Sequence, residues 1–137
     1  MTDTPKKYSI LIVDDDKFLL DMYSMKFTET GFKVMTAPNA QTALDLLAKD
    51  DTTPDVMLMD IVMPGMDGFE LLGEIKKRKL AQGCTLIILS NLGQKEDIDK
   101  GVALGVDGYI IKASCTPTEV TKKVNEILHK KSPEKKA

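Results

Sequence analysis

The chain has few of the features that mark secreted, membrane-bound or nucleic-acid-binding proteins. Its only two cysteines, Cys84 and Cys115, show no metal-ligand spacing, so reduced thiols are expected rather than a disulfide. No apolar run approaches the length of a membrane span, and the N-terminal segment MTDTPKKYS lacks the hydrophobic stretch of a signal peptide. The net charge is only −2, without the excess of basic residues that accompanies nucleic-acid binding. We therefore expect a cytoplasmic protein with no membrane insertion and no direct nucleic-acid contact.

The length is that of a single domain. A chain of 137 residues can bury roughly two thirds of its unfolded surface, which is enough for a core without disulfides. No internal repeat or linker is found. We predict one domain over residues 7–130, followed by a disordered basic tail over residues 131–137.

Short apolar runs alternate with longer amphipathic segments along the chain. This alternation is typical of parallel strands joined by helices, so it predicts an α/β fold: a doubly wound, five-stranded parallel sheet with helices on both faces. The five predicted strands are YSILIV, FKVMTA, DVMLMD, TLIILS and GYIIK.

Local signals predict where several helices begin and end. Gly31 is placed to end the first helix, Asn39 to cap the second, and Asp67 and Gly68 to precede the third. Thr116-Pro117-Thr118-Glu119 has the pattern of a capping box at the start of the last helix. The fourth helix, QKEDIDKGVALG, is poor in apolar residues, and Ile98 and Val102 are predicted to form its inward face.

Polar residues follow four of the predicted strands at their carboxyl ends. In parallel sheets these ends share one edge, where ligands usually bind. The residues expected to meet there are Asp14, Asp15 and Asp16 after strand one, Asp60 after strand three, Ser90 after strand four and Lys112 after strand five.

Asp60 is unusual because a lone carboxylate beside a buried strand costs several kcal/mol unless a cation or hydrogen bonds satisfy it. Lys112 is the expected cation. Several carboxylates held together also favour a hard metal ion, and Mg²⁺ suits an oxygen-rich site of this kind. Asp16 either contributes to the metal site or caps the first helix.

An aspartate, a magnesium ion, a lysine and a hydroxyl group together suit phosphoryl transfer. The carboxylate of Asp60 can attack phosphorus to give an acyl phosphate, while the metal and Lys112 neutralise the phosphoryl oxygens. The hydroxyl group of Ser90 can donate a hydrogen bond to a phosphoryl oxygen that is present only after transfer.

Four segments, ILIVDDD, VMLMDIVMPGMDG, IILSN and GYIIK, resemble the receiver domain of two-component response regulators. The resemblance covers about residues 7–130 and implies a flavodoxin-like (βα)5 fold with strand order 2-1-3-4-5. It implies that Asp60 is the phosphoacceptor and that Asp14, Asp15, Asp60 and the backbone carbonyl of Val62 hold Mg²⁺. Ser90 and Lys112 would contact the phosphoryl group. Tyr109 matches the aromatic switch residue of the family, although a half-buried tyrosine in a strand can equally be a static core residue.

Two positions depart from the family pattern. Ala113 follows Lys112, where the family commonly has a proline joined by a cis bond. Because a cis bond to a non-proline residue costs about 2.5–4 kcal/mol, we expect a trans bond here. Asn91 replaces a very small residue beside Ser90, so access to the phosphoryl group and the lifetime of the phosphorylated state are expected to differ.

The resemblance implies a signalling domain rather than an enzyme. His129, the only histidine, lies in the basic end of the last helix, so the phosphoryl donor is expected to be a separate sensor histidine kinase or histidine phosphotransfer protein. We expect a stand-alone regulator because no output domain follows the last helix. Its surface of helix four, strand five and helix five would then control a downstream effector protein; a phosphorylation-dependent homodimer stays open.

Three alternative functions remain. The first is a phosphorylation-independent scaffold with the receiver fold. The second is a Mg²⁺-dependent phosphohydrolase, which is disfavoured because Val62 stands where haloacid-dehalogenase-type enzymes carry a second acid. The third is a flavin-binding relative, whose phosphate the three acids would repel unless metal were bound.

Overall fold

The computed structural model describes residues 7–49 and 53–136, with side chains up to residue 130. The strands are β1 (Ser9–Val13), β2 (Lys33–Ala37), β3 (Val56–Met59), β4 (Thr85–Ser90) and β5 (Gly108–Ile111). The helices are α1 (Lys17–Glu29), α2 (Ala40–Leu47), α3 (Gly68–Lys77), α4 (Lys95–Ala103) and α5 (Pro117–Lys136), and a 3-10 turn (Lys112–Ser114) joins β5 to α5. Residues 1–6, which include most of the segment considered for a signal peptide, lie outside the described residues.

All five strands pair in parallel in the order β2-β1-β3-β4-β5, which confirms the predicted fold class and strand order. The apolar runs form the central strands because successive side chains point to opposite faces and both faces are covered. One face packs against α1 and α5 through Ile10, Ile12, Val56, Leu58, Ile87, Leu89 and Ile110. The other packs against α2 and α3 through Leu11, Val13, Met57, Met59, Leu86 and Ile88.

The predicted helix ends are confirmed, except that Gly68 is the first residue of α3 and only Asp67 precedes it. Gly31 adopts a φ of +96° just after α1, a conformation that favours glycine. The side chain of Asn39 accepts a hydrogen bond from the amide of Thr42 at 2.8 Å and so caps α2. Asp67 with Glu70 and Thr116 with Glu119 form reciprocal capping boxes at the starts of α3 and α5. These signals are local, so the flanking sequence is sufficient to determine them.

The predicted inward face of α4 is wrong at Val102. The Val102 side chain is 62% exposed, Ile98 is half-buried, and Gly101 is the buried residue of the helix. A Cβ atom on Gly101 would lie 3.0 Å from Ile88 and 3.3 Å from the ring of Tyr109, so α4 approaches the sheet through its backbone. Two apolar residues four apart were too few to define the packed face, because the contact is made by a residue without a side chain.

Helix α5 continues to Lys136, six residues beyond the domain end predicted at residue 130. The division into a domain and a tail therefore stays a prediction. Both cysteines are free, as expected: Cys84 is buried and Cys115 is half-buried. Among the described residues, no helix combines the length and apolar character needed to cross a membrane.

Candidate functional site

The backbone of the sheet places Asp14 and Asp60 side by side. Val13 and Met59 are paired in the register of β1 and β3, and each acid is the next residue along its strand. The amide of Asp60 donates to the carbonyl of Val13 at 2.9 Å, and the amide of Asp14 donates to the carbonyl of Ala37 at 3.2 Å. The strand ladder thus extends by one residue and brings both carboxylates to the carboxyl edge of the sheet.

Lys112 lies between these two carboxylates. Its Nζ atom is 2.7 Å from Oδ2 of Asp14 and 2.9 Å from Oδ2 of Asp60. The three side chains are only 10% (Lys112), 3% (Asp14) and 10% (Asp60) exposed. The ammonium group therefore provides the positive charge that two largely buried carboxylates need.

Burial and charge shift the pKa values of Asp14 and Lys112. Burial raises the pKa of Asp14, and the hydrogen bonds from Lys112 and from the amide of Asp16 offset only part of this effect. Burial lowers the pKa of Lys112, but the hydrogen bonds and charges of Asp14 and Asp60 outweigh it, so this pKa lies above its ordinary value. Lys112 is consequently charged at neutral pH.

A cluster of three acids surrounds the end of β3. Carboxylate oxygens of Asp14, Asp15 and Asp60 lie within 4.8 Å of one another, and Asp15 is exposed whereas the other two are buried. Carboxylates this close repel one another unless a cation is shared, and an all-oxygen donor set is the kind that Mg²⁺ prefers. These residues therefore fit a magnesium ion. Asp16 caps α1 instead, because its side chain accepts from the amide of Leu19 at 3.2 Å.

Backbone amides also hold the carboxylate of Asp60. Its Oδ1 atom accepts a hydrogen bond from the amide of Ile61 at 2.7 Å and a longer one from the amide of Val62 at 3.4 Å. Oδ2 is the oxygen that contacts Lys112. Each oxygen of the carboxylate thus has its own donor, which limits how the side chain can turn.

Ser90 and Tyr109 are linked through the backbone of Leu92. Ser90 ends β4, is completely buried, and its Oγ atom accepts a hydrogen bond from the amide of Leu92 at 3.2 Å. The half-buried Tyr109 donates its hydroxyl group to the carbonyl of the same residue. Burial raises the pKa of Tyr109, with smaller contributions from the charges of Asp97 and Asp60. Sequence reasoning missed Leu92, because it contributes only main-chain groups and these leave no residue-type signal.

The two departures from the family pattern lie at the rim of the site. The bond between Lys112 and Ala113 is trans, as expected, since no described residue has a cis peptide bond. Asn91 is exposed next to the buried Ser90. Val62, the residue predicted to offer its carbonyl to the metal, is 60% exposed in the loop after Asp60.

Comparisons with known proteins agree on one family. The family model of the response regulator receiver domain matches residues 10–125. Response regulator SaeR of Staphylococcus aureus (strain USA300) is 33% identical over 119 residues, which cover 87% of this chain and 50% of that protein. The chain thus spans half the length of this relative.

Solved structures support the same assignment. A CheY-like response regulator receiver domain protein from Methanospirillum hungatei JF-1 is 29% identical, with a TM-score of 0.82 over 94% of this chain and 99% of the other. Chemotaxis protein CheY4 of Vibrio cholerae is 25% identical, with a TM-score of 0.80 over 89% of this chain and 99% of the other.

Proposed function

This chain belongs to the receiver domains of two-component response regulators, and we propose on that basis that it accepts a phosphoryl group on Asp60. The observation that supports this proposal most directly is the contact of Asp60 with Lys112 inside a cluster of three acids at the carboxyl edge of the sheet. A nucleophilic carboxylate needs charge neutralisation when it approaches an anionic phosphoryl group. The position of Lys112, 2.9 Å from Oδ2 of Asp60, supports this role.

The reaction is a displacement at phosphorus. A carboxylate oxygen of Asp60 forms a bond to phosphorus, while the bond from phosphorus to the donor breaks and its electron pair leaves with the donor. For a phosphohistidine donor, the leaving group is the imidazole ring. Lys112 stabilises charge on the phosphoryl oxygens, and Ser90 donates its hydroxyl hydrogen to one of them after transfer.

Asp14, Asp15, Asp60 and the carbonyl of Val62 would hold Mg²⁺, which when bound neutralises negative charge on the phosphoryl oxygens. The three carboxylates within 4.8 Å of one another support this set of ligands. Asp14 and Asp60 would then exchange part of their contact with Lys112 for contact with the ion.

We propose that phosphorylation changes the conformation of β4, β5 and α4. When Ser90 turns towards the phosphoryl group, it gives up the hydrogen bond from Leu92, and Leu92 also accepts from the switch residue Tyr109. The ring of Tyr109 lies against Gly101 of α4, so these three elements share one set of contacts. Phosphorylation can shift such an equilibrium only through different interactions in the two states.

The partners follow from this chemistry. The phosphoryl donor is a sensor histidine kinase or a histidine phosphotransfer protein. The protein that responds to phosphorylation is a downstream effector protein that binds the surface of α4, β5 and α5. Phosphorylation-dependent homodimerisation is a further outcome to be tested. The stand-alone organisation and the cytoplasmic location stay predictions.

Intact-mass measurement after incubation with acetyl phosphate and Mg²⁺ tests the proposed function. The unmodified chain should gain one phosphoryl group, and Asp60→Asn and a metal-free sample should gain none. Asp45→Asn removes an exposed acid on α2 and should behave like the unmodified chain. No addition and no release of phosphate under any condition would favour the phosphorylation-independent scaffold. Steady release of phosphate from acetyl phosphate that depends on Asp60, without accumulation of the modified chain, would favour a phosphohydrolase.

A further inference from the structure

Gly68, the first residue of α3, lies directly against the backbone of the proposed phosphoacceptor. A Cβ atom on this residue would be 2.3 Å from the carbonyl oxygen of Asp60 and 2.8 Å from Cα of Ile61. Both are backbone atoms, which cannot move aside as the end of a flexible side chain can. Only glycine fits this arrangement of the chain.

The contact closes the loop that follows Asp60. The amide of Gly68 donates to the carbonyl of Ile61 at 2.8 Å, so the loop returns to its own beginning. The start of α3 is fixed by the capping box of Asp67 and Glu70, with hydrogen bonds of 2.8 and 2.9 Å. Three further residues of the helix are almost completely buried: Leu71, Leu72 and Ile75. Because the core anchors the helix, an added side chain would force at least part of the shift onto the Asp60–Ile61 backbone, although Ile61 is itself only 2% exposed.

The same loop holds the carboxylate of Asp60. The amides of Ile61 and Val62 both donate to Oδ1 of Asp60, at 2.7 and 3.4 Å. A shift of the Ile61 backbone would therefore change the direction of the carboxylate relative to Lys112. It would also move the carbonyl of Val62.

We propose that Gly68 is a positioning residue for phosphoryl acceptance: its missing side chain lets α3 press against the Asp60–Ile61 backbone and keeps the carboxylate aimed at the phosphoryl group. This inference rests on the proposed function. It gives the glycine a role in the reaction beyond opening a helix, although Gly68 itself touches no reactant.

The size of the expected effect follows from the contact distance. Real Cβ contacts essentially never fall below 3.0 Å and are ordinary from 3.4 Å, so the 2.3 Å separation must grow by 0.7 to 1.1 Å in Gly68→Ala. A misplacement of about 1 Å can slow a positioned reaction by about 10²-fold. We expect phosphorylation by acetyl phosphate to slow by about this factor, even at a saturating donor concentration.

Gly73→Ala is the matched control. Gly73 lies on the same helix and is half-buried, and a Cβ atom there would have nothing within 4 Å. Rates are measured by intact mass under conditions where urea titration shows both variants folded. A second readout uses metal-free protein: the amide resonances of Ile61 and Val62 should shift in Gly68→Ala but keep their positions in Gly73→Ala.

Equal rates and equal Ile61 and Val62 resonances in the two folded variants would overturn the inference. Failure of the proposed function is distinct, because then the unmodified chain would gain no phosphoryl group. If Gly68→Ala does not fold, a Mg²⁺ titration of the unmodified chain tests the inference instead. On titration with Mg²⁺, the amide resonance of Gly68 should shift together with that of Ile61, while that of Gly73 stays in place; an unresponsive Gly68 would contradict the proposed coupling.

Discussion

Replacement of Lys112 by methionine should destabilise the protein in a way that depends on pH. The substitution keeps a long side chain but leaves Asp14 and Asp60 without their shared cation. Removing one partner of a buried ion pair costs about 3–5 kcal/mol, because the remaining charge is uncompensated. We expect a loss of this size in the free energy of unfolding at pH 7.5 in the absence of metal.

A proton can replace the missing charge, and this limits the loss at low pH. Protonation of a carboxyl group with the ordinary pKa of 3.8 costs about 5 kcal/mol at pH 7.5 but only about 1.6 kcal/mol at pH 5. The folded pKa of Asp14 is already raised by burial, and loss of the hydrogen bond and charge of Lys112, which lower it, raises it further above that of the unfolded chain. The variant therefore recovers stability relative to the unmodified chain as the pH falls, and its deficit at pH 5 should be below about 2 kcal/mol.

The unmodified chain has the opposite dependence at high pH. The folded pKa of Lys112 lies above its ordinary value, so its contribution is complete below that value and is lost as the pH rises through the folded pKa. Urea titrations at pH 5 and 7.5 with a chelator measure the deficit of Lys112→Met. Addition of Mg²⁺ at pH 7.5 should recover part of it, since the ion supplies positive charge to the same carboxylates.

Lys95→Met is the control for this prediction. The pair of Lys95 and Asp99 is as short, at 2.7 Å, but its side chains are 86% and 61% exposed. An exposed pair contributes less than about 1 kcal/mol. Equal losses in the two variants, or a Lys112→Met deficit that does not change with pH, would refute the view that Lys112 compensates buried carboxylates.

Three further predictions concern the helix ends and α4. Asp67→Ala should lower the free energy of unfolding by about 1 kcal/mol in urea titrations, because it removes the cap of α3. The hydrogen bonds from Thr116 lower the pKa of Glu119, so the contribution of this cap to stability is present above the ordinary pKa and is lost as the pH falls through the lowered one. Carbon-13 titration of the Glu119 carboxyl group should show the lowered pKa. Thr116→Ala keeps the backbone hydrogen bond, which is the larger cause, and removes the side-chain contribution, so it should raise this pKa only part of the way to the ordinary value. Amide exchange in α4, whose buried residue is a glycine, should be faster than in α3, which buries four apolar side chains besides Gly68, and binding of a phosphoryl mimic should change the exchange in α4. Equal protection of the two helices with no response would contradict a movable α4.

The pattern of the sequence predicted most of the fold because its signals are local or repeat along the chain. Buried parallel strands appear as short apolar runs, and capping residues act within one helical turn. The inward face of α4 could not be predicted in this way. Its contact with Ile88 and Tyr109 is made at Gly101, which has no side chain to contribute to an apolar pattern.

The composition of the site was predictable because a parallel sheet brings the carboxyl ends of its strands to one edge, wherever they occur in the chain. The sequence alone therefore identified Asp14, Asp15, Asp60, Ser90 and Lys112 as candidates. It could not assign their contacts. Asp14, Asp15 and Asp16 are chemically identical neighbours, and only the folded backbone determines which of them meets Lys112, which faces solvent and which caps α1.

What the sequence by itself determined is the set of elements, their order and the candidate site residues at the strand ends, because these depend on residue type and spacing. Only the tertiary structure decided the link from Ser90 through Leu92 to Tyr109 and the fit of Gly68 against Asp60. Both contacts depend on backbone atoms. Leu92 and Tyr109 come from segments distant in sequence, and Gly68 meets Asp60 because the loop between them folds back on itself. Such atoms are the same in every residue, so their positions carry no signal until the chain has packed.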